Sequence, residues 1–236
     1  MSQVFDIITN LSCPRRCQHC VRGVGRDFFS DYELSIPDLE NALTLTRQYK
    51  RVWPIVRLVG GDTLQWKYLN EGLMLLKENR DLFKILDTIL SPRDEDIDRL
   101  LSVIDYFDVA TLSVRQDNEK TCGLLKQQFP NKIRLSLRKT HYVFPTEPLQ
   151  DVLPGKCRAP WLALFAGRIW MCPNFPFYYY KKHGVLDSQD SQQYNTSVED
   201  AIKNLPKYAC GNIEGYCDLC VDNTKTHSKL DSVPSV

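Results

Sequence analysis

The apolar residues in the first part of the chain follow two alternating rhythms. Short runs rich in Val, Ile and Leu recur at 4–9, 55–59, 84–90, 109–114 and 132–137, and read as strands. Gly60-Gly61 closes the second run and Ser91-Pro92 the third. Between the runs, apolar positions repeat at helical spacing. Ser35, Pro37 and Asp38 signal the start of a helix that carries Leu39, Leu43 and Thr46 on one face. Residues 66–79 place Leu69, Leu73 and Leu76 in the same way, and further helices are predicted over 94–106 and 120–128. Strands alternating with helices of this length predict parallel β/α units. The strands are too few for a closed eightfold barrel, so the pattern predicts a partial one.

The rhythm stops after Lys139, where Pro, Gly, Cys and aromatic residues take over. Residues 162–165, Gly167 and 169–172 predict a hairpin, and 197–205 a helix. The expected division is a barrel over 1–145, a cysteine-rich domain over 146–222 and a polar, flexible tail over 223–236.

Composition narrows the function classes. The 236 residues are 43% hydrophobic, enough for a buried core, and 30 Lys+Arg nearly balance 29 Asp+Glu. No bulk charge therefore favours a nucleic-acid, membrane or acidic partner. Residues 1–10 show no basic segment followed by an apolar run, and no stretch is long enough to span a bilayer. A cytoplasmic protein without a membrane partner is expected.

Cysteine changes the picture. Eight of the nine fall in two groups, which in a reducing compartment points to metal rather than disulfides. Cys13, Cys17 and Cys20 form a CxxxCxxC triplet after the first predicted strand. Three thiolates on one loop hold three irons of a 4Fe–4S cube and leave the fourth open. A zinc knot recruiting His19 is the alternative, although zinc sites favour two CxxC-type pairs. The loop lies at the C-terminal end of a barrel strand, where active sites of such folds gather.

The triplet in this context closely resembles the radical S-adenosylmethionine (SAM) superfamily. The resemblance implies a SAM-binding 4Fe–4S cluster whose open iron takes the SAM amino and carboxylate groups. It also implies reductive cleavage to a 5′-deoxyadenosyl radical, hydrogen-atom abstraction from a substrate, and a reducing partner such as flavodoxin or ferredoxin. His19 stands where the family places an aromatic residue against adenine. Gly60, Gly61 and Asp62 stand where the family has Gly-Gly-Glu; a tight glycine turn and a carboxylate would face the ammonium, with Asp departing from the commoner Glu. Ser113 and Arg115 after the fourth strand, and Ser136 and Arg138 after the fifth, are the implied polar contacts to ribose and carboxylate. Capping of strand ends in solvent is the alternative for both arginines.

The second group is Cys157, Cys172, Cys210, Cys217 and Cys220, with Gly167 to Cys172 reading GxxxxC. It resembles the auxiliary-cluster modules called SPASM and, in shortened form, twitch. Five cysteines suit one fully ligated 4Fe–4S cluster, so the twitch-like form is implied, with Cys157, Cys172, Cys217 and Cys220 as ligands and Cys210 as the alternate. A structural zinc is the other reading. Full ligation makes such a cluster an electron relay or a brace.

The fold expected is thus α/β, a partial (β/α)6-type radical SAM barrel with a small C-terminal auxiliary-cluster domain. The reaction expected first is dehydrogenation of a small sugar-, cyclitol- or nucleotide-like molecule, and the short chain resembles the aminocyclitol alcohol oxidases in plan. A peptide-modifying maturase is a second reading, set back because only three residues precede the first strand. A redox-neutral isomerase or epimerase is a third, with Cys122 returning a hydrogen atom to the substrate radical. A buried apolar filler is the plainer role for Cys122. The aromatic and basic strip 176–183 would stack on a base or sugar and hold a phosphate, or else pack in the appendage. A zinc-stabilised nucleic-acid-binding module is the non-enzymatic alternative, and iron and labile sulfide content separates it from the others.

Overall fold

The structure is a computed structural model that describes residues 4–15, 31–51, 53–136, 162–170, 172, 175–186 and 195–204. Strands β1 (Val4–Ile8), β2 (Ile55–Val59), β3 (Phe83–Thr88), β4 (Val109–Ser113) and β5 (Ile133–Ser136) lie parallel, each beside the next. Helices α1 (Ile36–Gln48), α2 (Leu69–Glu78), α3 (Asp94–Val103) and α4 (Glu119–Gln128) fill the four connections. Right-handed crossovers that always step the same way put every one of these helices on one face of the sheet. That face is apolar. Phe5, Ile7, Val56, Leu58, Leu86, Ala110 and Leu112 meet the buried sides of the helices there in a single core. Helix α1 starts where its sequence signals put it, with the Ser35 hydroxyl accepting the Asp38 N–H at 3.2 Å.

A sixth parallel strand, β6 (Leu162–Phe165), adds to the other edge of β1. Strands β7 (Arg168–Trp170) and β8 (Asn195–Ser197) then continue the sheet antiparallel. The result is an open eight-stranded sheet in the order β5-β4-β3-β2-β1-β6-β7-β8. The predicted hairpin is present as β6 and β7, turning on Ala166 and Gly167 at φ 50° and 69°. Its first strand nonetheless belongs to the parallel set, so the sheet is continuous from the N-terminal strands into this part of the chain.

Other elements depart from the sequence pattern. Helix α2 begins at Leu69, because Thr63–Gln65 forms a 3-10 turn and Trp66 is buried with its Nε1 donating to the Leu34 carbonyl at 3.1 Å. The third predicted helix tightens to a 3-10 turn over Ile104–Tyr106. The strip 176–183 lies in a helix, α5 (Phe175–His183), which buries Phe177 and Tyr179 and sets Phe177 with its ring centroid 4.9 Å from that of Phe165. Packing is thus the role seen for those two rings. The final described helix is α6 (Val198–Asn204), packed against α1. No helix among the described residues is long and apolar enough to cross a membrane.

The opposite face of the sheet has a different character. Strand alternation places Asp6, Arg57, Asp87, Thr111, Ser113 and Ser136 on it. Arg57 donates to both carboxylate oxygens of the buried Asp6, at 2.8 and 2.7 Å, and its Nη1 stands 3.7 Å from Asp87. Helices α1–α4 leave this face uncovered, α5 reaches it at Phe165 through Phe177, and its charged and hydroxyl groups make it a surface suited to a polar occupant.

Candidate functional site

The C-terminal edge of the sheet begins with β1 and β2, whose ladder does not stop at the strand ends. Thr9 N–H donates to the Val59 carbonyl at 2.8 Å, Gly61 N–H to Asn10 at 2.9 Å and Asp62 N–H to Ser12 at 2.7 Å. The Asn10 side-chain amide adds a bond to the Asp62 carbonyl at 3.0 Å. The segment leading into Cys13 is thereby laid along Gly60–Asp62. A Cβ on Gly60 would stand 2.6 Å from the Asn10 carbonyl oxygen, and one on Gly61 only 2.1 Å from that of Ser12. Among the described residues only Gly167 and Gly184 are glycines at positive φ. The two glycines are therefore needed for close approach, and neither adopts a left-handed backbone.

Cys13 is partly exposed, and its Sγ accepts the Arg15 N–H at 3.4 Å. Arg15 then reaches across the edge, with Nη2 2.8 Å from an Asp117 carboxylate oxygen in the loop between β4 and α4. Cys17, His19 and Cys20 lie outside the described residues.

Asp62 is buried and turns toward β3. Its Oδ1 accepts the Leu64 N–H at 3.3 Å, capping the 3-10 turn, and the Thr88 hydroxyl at 2.5 Å. Its Oδ2 is buried without a hydrogen bond of good geometry among the described residues. Burial pushes this carboxyl above the usual carboxylate range, against the lowering effect of the Thr88 hydroxyl and the Leu64 and Ile89 N–H groups, and nearby Asp96 adds to the rise. Thr88 passes the connection on, since its hydroxyl also accepts the Leu90 N–H at 3.1 Å.

Leu90 is fully buried and left-handed, at φ 46°. A left-handed backbone costs an ordinary residue about 1–2 kcal/mol. Asn118, also fully buried, offsets it. Its Nδ2 donates to the carbonyls of Ile89 at 2.9 Å, Leu90 at 2.8 Å and Ser113 at 3.1 Å, and its Oδ1 accepts the Arg115 N–H at 2.7 Å. Each such bond contributes about 1 kcal/mol net. Ser113 and Ser136 are register partners at the ends of β4 and β5, both half-buried, and Arg115 follows two residues on. Gly60, Gly61, Asp62, Ser113, Arg115 and Ser136 thus all lie along one edge with Cys13. Arg138 lies outside the described residues.

Cys122 sits in α4 within the apolar core between sheet and helices, fully buried. Burial pushes its thiol up to about 11, with Arg15 lowering it and Asp117 raising it. This is the setting of a packing residue, and a hydrogen-atom donor needs access to the substrate. Cys172 follows β7 and is partly exposed. Cys157, Cys210, Cys217 and Cys220 lie outside the described residues.

Sequence reasoning missed Asn10, Thr88 and Asn118, the three side chains that tie the edge together. Asn118 carried a signal, a cap-forming residue ahead of a helix, but nothing local told of its reach back to β3.

No protein-family model and no curated protein matches the sequence. Solved structures do match in fold. BtrN in complex with AdoMet and 2-DOIA superposes at a TM-score of 0.60, with 14% identity over 93% of this chain and 92% of that one. An open conformation of BtrN gives 0.55, with 14% identity over 95% and 96%. Streptococcus suis SuiB bound to precursor peptide SuiA shares 14% identity over 57% of this chain and 32% of its own, at 0.43, too partial a likeness to argue from. The fold is therefore an open α/β fold like that of BtrN.

Proposed function

We propose that this chain is a radical SAM enzyme that acts on a small polar molecule, with dehydrogenation as the net reaction. The observation that carries the reading is the C-terminal edge, where the Cys13 segment is hydrogen-bonded along Gly60–Asp62 and shares its edge with Ser113, Arg115 and Ser136. The whole-chain likeness in fold to BtrN, a structure holding AdoMet and a small molecule, adds support.

The residues present fit the implied groups in chemistry. Cys13, Cys17 and Cys20 would hold the 4Fe–4S cluster, and the Arg15 N–H on Cys13 Sγ is the kind of bond that steadies a ligating sulfur. The cluster supplies the electron for cleaving SAM to a 5′-deoxyadenosyl radical. Asp62 Oδ2, buried and met by no hydrogen bond of good geometry beyond the approach of the Ile89 N–H to its carboxylate, is the candidate acceptor for the amino group of SAM. Arg115 is the candidate partner of its carboxylate. Ser113 and Ser136 offer adjacent hydroxyls for a ribose, and His19 a ring for the adenine. The polar face below, with Asp87 and Thr111 one residue pair in from the edge, would orient a hydroxyl-bearing substrate. The second cysteine group, Cys157, Cys172, Cys217 and Cys220 with Cys210 as alternate, would hold an auxiliary cluster that receives the second electron. The buried setting of Cys122 favours dehydrogenation over the isomerase reading.

The test is iron and labile sulfide per chain after anaerobic reconstitution, with dithionite-driven release of 5′-deoxyadenosine from SAM. About eight irons are expected, falling to about four in a Cys13/Cys17/Cys20 triple alanine variant that no longer cleaves SAM. Zinc without sulfide in the wild-type chain would overturn the reading.

A further inference from the structure

We propose that Asn118 is the positioning residue of the ligand edge, holding Arg115 and Ser113 in place without touching ligand itself. The inference rests on the proposed function, because the groups it places are the candidate SAM contacts. Four fully or almost fully buried polar side chains, Asn10, Asp62, Thr88 and Asn118, form one hydrogen-bonded path across the ends of four strands. The path starts beside Cys13, where Ser12 accepts from Asp62 N–H, and passes through Thr88 to Leu90. It ends on Asn118, which holds β3 through the Ile89 and Leu90 carbonyls and β4 through Ser113 and Arg115.

The arrangement exceeds what a helix start requires. Asn118 has no side-chain bond to the first turn of α4; the Cys122 N–H bonds to its backbone carbonyl at 2.9 Å instead. The whole side chain is turned back toward the strand ends. Its two N–H groups are shared among three carbonyls, one of which belongs to the left-handed Leu90. Its oxygen fixes the backbone of Arg115, from which the guanidinium departs. Removing the amide frees the β3 end from the β4 end and lets Arg115 wander, while the apolar core on the helix face stays in place.

Four variants of the reconstituted full-length protein test this, Asn118→Ala, Asn118→Asp, Asn118→Gln and, as a control, Leu76→Ala. Leu76 is buried at the C-terminal end of α2, by the opposite edge of the sheet. The readouts are the SAM dissociation constant from equilibrium dialysis, the change SAM makes in the EPR signal of the reduced cluster, and the thermal midpoint. Asn118→Ala is expected to weaken SAM at least tenfold and to diminish the EPR change. Asn118→Asp, which keeps the acceptor but loses both donors, should fall with it. Leu76→Ala should stay within twofold of wild type in SAM affinity despite a comparable loss of thermal midpoint. Asn118→Gln keeps the amide but displaces it by one methylene; it serves if the alanine variant does not fold, with at least threefold weaker binding expected. SAM affinity within twofold of wild type in the Asn118 variants overturns the inference, as does an equal loss in Leu76→Ala. A wild-type chain with no iron signal and no SAM binding overturns the proposed function instead.

Discussion

Replacing Gly61 by alanine tests the geometry on which the candidate site depends. The new Cβ would lie 2.1 Å from the Ser12 carbonyl oxygen and 2.7 Å from its carbon, so the backbone there must retreat by about 1 Å. Two ladder bonds span this approach, Asp62 N–H to Ser12 at 2.7 Å and Gly61 N–H to Asn10 at 2.9 Å. A shift of that size breaks the first and lengthens the second. At about 1 kcal/mol per bond, with a further contribution from backbone strain, the expected loss is about 2–3 kcal/mol. In a chain of this size that lowers the thermal midpoint by roughly 4–12 °C. The displaced segment leads straight into Cys13, so iron retained after reconstitution should fall as well. Gly123→Ala is the matched control. It makes the same chemical change inside α4 with nothing within 4 Å of the new methyl, and should be neutral or stabilising by up to about 1 kcal/mol. Differential scanning calorimetry with iron analysis reads both variants. Gly61→Ala with the wild-type midpoint and iron content would refute the close approach of the two segments.

The remaining expectations concern two titratable groups. The Asp62 carboxyl is raised in the folded chain, chiefly by burial, so the folded state holds its proton more tightly than the unfolded state does. Its contribution to stability is full below the unfolded carboxylate value and is lost as pH rises through the raised folded one. Asp62→Asn does not titrate, so its midpoint should gain on wild type as pH rises above about 4, and parallel curves would refute the burial argument. The Cys122 thiol, pushed up to about 11 by burial, should resist iodoacetamide in the native protein at pH 8. Cys122→Ala should lower the thermal midpoint by a few degrees and keep iron content and turnover. Lost turnover at an unchanged midpoint would return Cys122 to the mechanism.

Much of this architecture was legible in the chain because its first half is locally consistent. The compact run 55–59 followed by Gly60-Gly61 can be little other than a strand and its end, and Ser35-Ile36-Pro37-Asp38 states a helix start in four letters. Leu162–Phe165 was harder. All four residues are buried, and an apolar run reads alike in a hairpin or as an inner strand. Only pairing with β1, more than 150 residues earlier, decides between them. Helix α5 was hidden by composition, since Pro176 and a cluster of aromatics carry no helical signal. The site divides in the same way. Cys13, Gly60, Gly61 and Asp62 announce themselves by spacing, whereas the work of Thr88 and Asn118 is tertiary, made by partners 26 to 29 residues away.

The place of β6 beside β1 also bears on how the chain is made. Once 55–59 has emerged from the ribosome, β1 can pair along one edge, but the other edge waits for residues 162–165. At ordinary synthesis rates that interval is roughly 5–20 s. Throughout it the unpaired N–H and C=O groups of that β1 edge are exposed, a template for neighbouring nascent chains on the same message. The sheet is thus built outward from a strand that stays half-paired while about 100 further residues are translated, and holdase chaperones that shield such edges should raise its yield.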